Sequence, residues 1–249
     1  MPIIDAHTHL GPEGFDVGAL EEGARLGVST FLCSAIVDYK HYPSFDEVAA
    51  SNRAMASEMR RYPDRVRGFC YVNPRHGDLA MDDLRRNVEE HGMVGMKLWV
   101  ATLCDDPLVF PYVEQAISYG IPVLAHCWRK SVGQLPYESQ PWNVAALAAR
   151  YPEASILMAH LGGNVEWAVN TVAGLPNVLT DTSGTPVGGS EVAIAVARLG
   201  ASRVVFGSDL PGACLATNLG KVYGAGLSES EAELVLGGNM ARLLGQVRR

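Results

Sequence analysis

Eight short β-rich apolar runs, alternating with amphipathic stretches over 249 residues, predict an α/β fold of one domain, a (β/α)8 TIM barrel. Strand–helix alternation implies parallel strands joined by crossover helices, and eight such units match the length of about 250 residues usual for a closed barrel. The runner-up is an open, doubly wound nucleotide-binding sheet. It lacks its signature, because no G-x-G-x-x-G follows the first run and no G-x-x-x-x-G-K-[ST] occurs. No Pro/Gly/Ser linker, solenoid repeat or low-complexity tail divides the chain, so residues 1–249 read as one domain.

In chain order, the first strand is expected over Pro2–His7, followed by a helix over Asp16–Leu26 with apolar residues at helical spacing. Val28–Val37 is the second strand and Phe45–Arg61 the helix after it. Arg65–Asn73 and Leu79–His91 form the third unit, and Val94–Trp99 and Pro107–Tyr119 the fourth. Ile121–His126 and Pro141–Tyr151 follow. Ser155–His160, Asn177–Asp181 and Arg203–Asp209 complete the strands, with a helix over Gly189–Leu199 between the last two.

Hydrophobic residues make up 48% of the chain and charged residues 19%, enough for a sizeable core. The net charge is −7, and only four of the 20 cations are lysines, with no basic run. Binding to nucleic acid or anionic lipid needs clustered cations and is not expected. The charge-free stretch Gln115–Trp128 stops at 14 residues, short of a bilayer span. The N-terminus carries no signal-like pattern, and the five cysteines are odd in number with no C-x-x-C pair. Reduced thiols in a cytoplasmic protein fit this usage.

The chemistry gathers at strand ends. The first strand finishes Ile4-Asp5-Ala6-His7-Thr8-His9, and residues two apart share a face, so His7 and His9 point the same way. That end of the strand is where a barrel keeps its active site. H-x-H alone is weak, since two histidines can simply pack there. His126 then ends the fifth run, His160 the sixth and Asp209 the eighth, while Lys97 lies near the end of the fourth. Each step approximates one β/α unit. Burying such groups without partners costs several kcal/mol, and a shared cation facing their lone pairs removes that cost.

This set resembles the amidohydrolase superfamily of metal-dependent barrels. The branch called amidohydrolase family 2 is suggested by Ile4-Asp5-Ala6-His7-Thr8-His9, Gly95-Met96-Lys97-Leu98, Ala159-His160-Leu161-Gly162-Gly163, Phe206-Gly207-Ser208-Asp209-Leu210-Pro211 and the closing Gly238-Asn239-Met240-Ala241-Arg242-Leu243-Leu244. The resemblance implies that His7, His9, His126 and Asp209 hold one divalent cation, Zn2+ most often, with Mn2+ as the other choice. It places His160 beside them as a proton-transfer group or a ligand to a second metal. Lys97 is either a carboxylated bridge between two metals or a cation for a substrate carboxylate; the single-metal version is the expected one. Trp99 stands where the family often has histidine, which bears on the substrate rather than the metal.

The resemblance implies first a hydrolase of small lactones, amides or related carboxylates. A bound cation lowers the pKa of water from about 15.7 toward 7, Asp209 takes a proton, and His160 assists the carbonyl or leaving group. The alternative is a non-oxidative decarboxylase of an aromatic or unsaturated acid, in which Asp209 or His160 protonates the ring carbon. Trp99, Trp128 and Phe15 could wall a ring substrate or merely pack loops. A non-catalytic metal- or ligand-binding barrel is the third reading.

Arg129 and Lys130 stand at the rim, as carboxylate binders or a solvated pair. Gly184–Ser190 is either a phosphate loop or a turn into the next helix. Asp5 is expected to face inward and orient an imidazole. His41, His76 and His91 show no alignment, Cys127 should face the helices, and the loop Asp38–Ser44 could cover the mouth. A small-molecule substrate is the expected partner, with a homo-oligomer as a family-level expectation.

Overall fold

The computed structural model describes residues 2–11, 13–184 and 189–248, with the Tyr39 side chain set aside. Eight parallel strands run in the order β1 to β8: β1 (Ile3–His9), β2 (Val28–Ser34), β3 (Val66–Val72), β4 (Gly95–Leu98), β5 (Val123–Ala125), β6 (Ile156–Met158), β7 (Val178–Asp181) and β8 (Val204–Val205). Neighbours in sequence are neighbours in the sheet, each crossing through helix as a right-twisted parallel sheet requires. The helices are α1 (Val17–Leu26), α2 (Phe45–Arg61), α3 (Asp78–Glu89), α4 (Phe110–Tyr119), α5 (Pro141–Arg150), α6 (Val165–Val172), α7 (Gly189–Leu199), α8 (Leu215–Tyr223), α9 (Glu229–Glu233) and α10 (Asn239–Leu244). This is a single-domain (β/α)8 barrel.

Local chemistry sets the helix starts. Asp16 accepts the Gly18 N–H at the head of α1, and Ser44 with Glu47 forms a reciprocal capping box on α2. Two apolar layers follow. One lies between strands and helices and includes Phe31, Met55, Leu84, Val144 and Val192. The other fills the barrel from Ile4, Leu32, Phe69, Leu124, Leu157, Leu179 and Val205, and Met240 and Leu243 of α10 close it below.

Four strand expectations need revision. β1 extends to His9, and its register against β2 slips between Asp5 and Thr8. Ile4 and Ala6 belong to the inner layer, so Asp5 between them faces away from it. The slip then lets His7 and His9 aim at the barrel mouth. β2 ends at Ser34, where the chain leaves for a 3-10 turn over Val37–Tyr39. β6 ends at Met158 because His160, Leu161 and Gly162 turn left-handed, with φ of 60°, 49° and 65°. β8 pairs with β7 only through Val204 and Val205, because the chain beyond turns to β1.

That turn closes the barrel. Ala6 N–H donates to the Phe206 carbonyl at 2.8 Å, Asp209 N–H to that of His7 at 2.8 Å and His9 N–H to that of Leu210 at 2.6 Å. Asp209 itself sits at φ 65°. Of the stretch Gly184–Ser190, residues 185–188 lie outside the described residues; α7 begins at Gly189. No helix among the described residues is long and apolar enough to cross a membrane.

Candidate metal centre

Four imidazoles, one carboxylate and one ammonium meet at the carboxyl ends of the strands. His7 Nε2 and His9 Nε2 are 3.1 Å apart, and Asp209 Oδ1 lies 3.8 Å from the first and 3.3 Å from the second. Lys97 Nζ donates to His7 Nε2 at 2.8 Å. On the far side, His160 Nε2 and His126 Nδ1 are 3.2 Å apart. The His7, His160 and Asp209 ligand atoms lie within 4.8 Å of one another. His126 joins this trio through its contact to His160, and Lys97 and His7 also act on it through space.

The outer nitrogens decide which tautomers are present. His7 Nδ1 is 2.9 Å from Asp181 Oδ2, and His126 Nε2 is 3.0 Å from Glu138 Oε1. A carboxylate can only accept, so these nitrogens carry the protons. His9 Nδ1 faces the Ser34 hydroxyl at 3.0 Å and the Ser34 carbonyl at 3.4 Å. Ser183 Oγ donates to Asp181 Oδ1 at 2.5 Å and therefore accepts from His160 Nδ1 at 2.9 Å. The inner nitrogens of His126 and His160 are left with lone pairs aimed at each other, and His9 Nε2 faces His7 Nε2, whose lone pair Lys97 already engages. Such contacts repel unless a proton or cation lies between them, and borderline-soft imidazoles with one carboxylate suit a divalent transition ion. The donor set fits a metal.

Burial shapes the charges. Desolvation pushes the imidazolium pKa of His9 and His126 down to about 4 and that of His160 well below its usual value, so these rings rest neutral. Burial likewise lowers the Lys97 ammonium to about 8, against the pull of Asp209 and Asp181. Burial alone would raise Asp209 and Asp181. The surrounding imidazoles overcome it and hold both carboxyls well below the usual range. Asp209 keeps 21% of its side chain exposed, the one acid of the cluster open to the mouth.

The anchors were not foreseen. Asp181, noted in the sequence only as the end of the seventh strand, takes His7 on one oxygen and the N–H groups of His160 (2.9 Å) and Ser183 (3.0 Å) on the other. Its place at the level of His126 and His160 was the available signal. Glu138 is held in turn by Lys130 Nζ at 2.8 Å. Gly207 permits the close packing beneath: a Cβ there would stand 3.0 Å from that of His7 and 3.2 Å from that of Ser183.

Other expectations fall elsewhere. Asp5 does not orient an imidazole; its Oδ1 accepts the backbone N–H groups of Ser208 (2.9 Å) and His7 (3.2 Å), and burial pushes its pKa up to about 7. The Arg129 guanidinium stacks 3.9 Å over Trp167, outside the cluster, since that aromatic face competes better than solvent. Phe15 packs on Phe31 in the strand–helix layer and walls nothing. Trp99 and Trp128 do flank the cluster, their rings 4.4 Å from His126 and 4.9 Å from His160. Cys127 is buried among the strand–helix contacts. The loop at 37–44 reaches the mouth, where Tyr42 meets Tyr137 at 6.1 Å. A cavity of about 240 Å³ opens beside His9, between Ile36, Val37 and Pro211.

Residues 4–246 match the family model described as amidohydrolase. No curated protein matches the sequence. Among solved structures, the fold is similar to 2,6-dihydroxybenzoate decarboxylase from Rhizobium, at TM-score 0.79 and 16% identity, covering 98% of each chain. A dihydroxybenzoic acid decarboxylase from a Polaromonas species, solved with bound manganese and 2-nitroresorcinol, matches at TM-score 0.78 and 16% identity, over 100% of this chain and 98% of that one. A 4-oxalomesaconate hydratase from Rhodopseudomonas palustris matches at TM-score 0.73 and 17% identity, over 98% and 96%. With a family model spanning nearly its whole length, and a histidine–aspartate cluster at the barrel mouth, the chain belongs to the amidohydrolase family.

Proposed function

We propose that this protein is a metal-dependent, non-oxidative decarboxylase of a small, single-ring aromatic or similarly planar unsaturated carboxylic acid. The observation that carries the reading is the pair of indoles, Trp99 and Trp128, lying against the very imidazoles that would do the chemistry. Flat aromatic walls bind flat rings. Similarity in fold to two decarboxylases of hydroxylated benzoates supports the same choice over the hydrolase that the sequence suggested first.

His7, His9, His126 and Asp209 would hold one divalent ion, zinc or manganese. His126 suits a ligand because an ionised carboxylate, Glu138, fixes its outer proton. His160 is braced only by a serine hydroxyl and is freer to exchange a proton. When bound, the ion supplies positive charge that orients the substrate's oxygens and accepts electron density. Lys97, released from His7 Nε2, binds the carboxylate. In the reaction the carbon–carboxylate bond breaks, its electron pair stays on the ring carbon, and CO2 departs. His160 delivers the proton that replaces it. Its ring is neutral at rest, so it takes up a proton from water as the anionic substrate binds, whose charge offsets the desolvation.

Hydrolysis is the second reading, favoured by the partial exposure of Asp209, which leaves one oxygen able to reach a water. Incubating the metal-loaded protein with hydroxylated benzoates beside lactones and amides separates the two. CO2 release from the acids is expected; acid production from the esters and amides alone would overturn the decarboxylase reading.

A further inference from the structure

Two ammonium groups are buried among the described residues: Lys97 within the metal centre, and Lys221, 2% exposed, on the inner face of α8. Nothing in the chemistry above uses Lys221. Its Nζ donates to the carbonyl oxygens of Thr182 at 2.9 Å and Gly184 at 2.5 Å. Asp181, Glu191 and Asp209 act on it through space, and no salt bridge joins it to a carboxylate among the described residues. Burying an ammonium against carbonyls alone is an unfavourable way to fill space. The two carbonyls belong to the residues on either side of Ser183.

Ser183 is the hub of the proton side of the cluster. Its hydroxyl contacts Asp181 at 2.5 Å, His160 Nδ1 at 2.9 Å and His7 Nδ1 at 3.0 Å. Gly184 runs so close that a Cβ there would stand 3.0 Å from His160 Nδ1 and 3.6 Å from Trp128. A small shift of residues 182–184 is therefore felt directly by the His160 ring. One helical turn before Lys221, Asn218 Nδ2 donates to the Ser208 carbonyl at 3.0 Å, beside Asp209. Helix α8 thus grips both loops from behind with neighbouring polar side chains on one face.

We propose that Lys221 is a positioning residue: by tying down the peptide groups on both sides of Ser183, it keeps the serine hydroxyl where it fixes the tautomer and direction of His160. The proton-delivery role of His160 rests on the decarboxylase reading, but the orientation of its ring does not.

The test uses the full-length protein labelled with 15N-histidine, in wild-type form and as Lys221→Met, Lys221→Gln and Ser183→Ala. In the wild type, the His160 ring is expected to show a protonated Nδ1 and a bare Nε2. Lys221→Met should shift it toward a tautomer mixture, as Ser183→Ala does. Lys221→Gln, which keeps an N–H donor one bond short of the ammonium, should move it part of the way and carries the test if the methionine variant does not fold. Where turnover is measurable, kcat should fall about 10–100-fold with KM nearly unchanged. His160 signals unaltered in the Lys221 variants while Ser183→Ala moves them, or unaltered in Ser183→Ala itself, would overturn the proposal. The spectra decide the matter even if no decarboxylation substrate is found, so the two failures stay distinct.

Discussion

Asp181 gathers His7, His160 and Ser183 on two oxygens, and its charge fixes the tautomer of His7. Replacing it by asparagine removes that charge while keeping the shape. Affinity for divalent metal should drop about 10–100-fold with the far-UV circular dichroism unchanged, as read by calorimetric titration. Asp209→Asn should abolish turnover and still fold; a fully active variant would remove Asp209 from the chemistry. Acid should destabilise the metal-stripped protein in a defined window. His9 and His126 titrate near 4 when folded and His160 well below 6.5. Unfolded histidine titrates near 6.5, so the unfolded chain binds more protons between about pH 6.5 and 4, and stability is lost as pH falls through that range. His9 and His126 each contribute on the order of 3 kcal/mol at most. Asp5, raised to about 7, acts the other way: its folded carboxyl takes up the proton first. Three imidazoles outweigh one carboxyl, and Asp5→Asn should steepen the fall in melting temperature between pH 6.5 and 4. Strand-end logic was enough to locate His7, His9, Lys97, His160 and Asp209, which the structure brings together. Glu138 and Ser183 were beyond it, because they are loop residues whose partners depend on how two loops approach.

At the level of single elements, alternation and helical spacing located every strand, but they overran the ends of β2, β6 and β8 and cut β1 short. The reason is common to the last three. A period-two pattern assumes an unbroken ladder, whereas β1 slips between Asp5 and Thr8, β6 gives way to a left-handed turn, and the chain after β8 pairs with β1. The turn after β6 depends on Gly162, at φ 65°, where a Cβ would meet that of Ala168 at 2.5 Å and Pro141 Cγ at 3.0 Å. Gly162→Ala is therefore expected to cost about 1–3 kcal/mol from backbone conformation, with steric crowding in addition. A lowered urea midpoint at constant slope would register it. The same variant should impair turnover, since the turn carries His160. Both residues at the centre of the proposed chemistry, His160 and Asp209, have positive φ without being glycine. Their neighbours must over-determine such backbones, which is what Asp181 and the β1–β8 contacts supply.

For the molecule as a whole, one barrel interior and one surrounding layer predict a single cooperative thermal transition by calorimetry, without a separate domain step. Metal should raise its midpoint, because the ligand atoms come from strands far apart in the chain and the unfolded state offers no equivalent site. At a hundredfold excess over Kd the gain is about 2.7 kcal/mol, or about 5–10 °C for a domain of this size. A chelator should reverse it; a midpoint indifferent to both zinc and manganese would count against the metal centre. The eightfold alternation made the barrel readable from sequence. Its seam was not, because closure rests on hydrogen bonds from Ala6, His9 and Asp209 rather than on a long paired strand.

That seam has a consequence for biosynthesis. Translation makes His7 and His9 seven strands ahead of Asp209, and the hydrogen bonds that unite them also shut the cylinder. A growing polypeptide still short of its eighth strand has its imidazoles but not the carboxylate that completes the set. Competence therefore arrives in one step, when the eighth stave of the barrel meets the first.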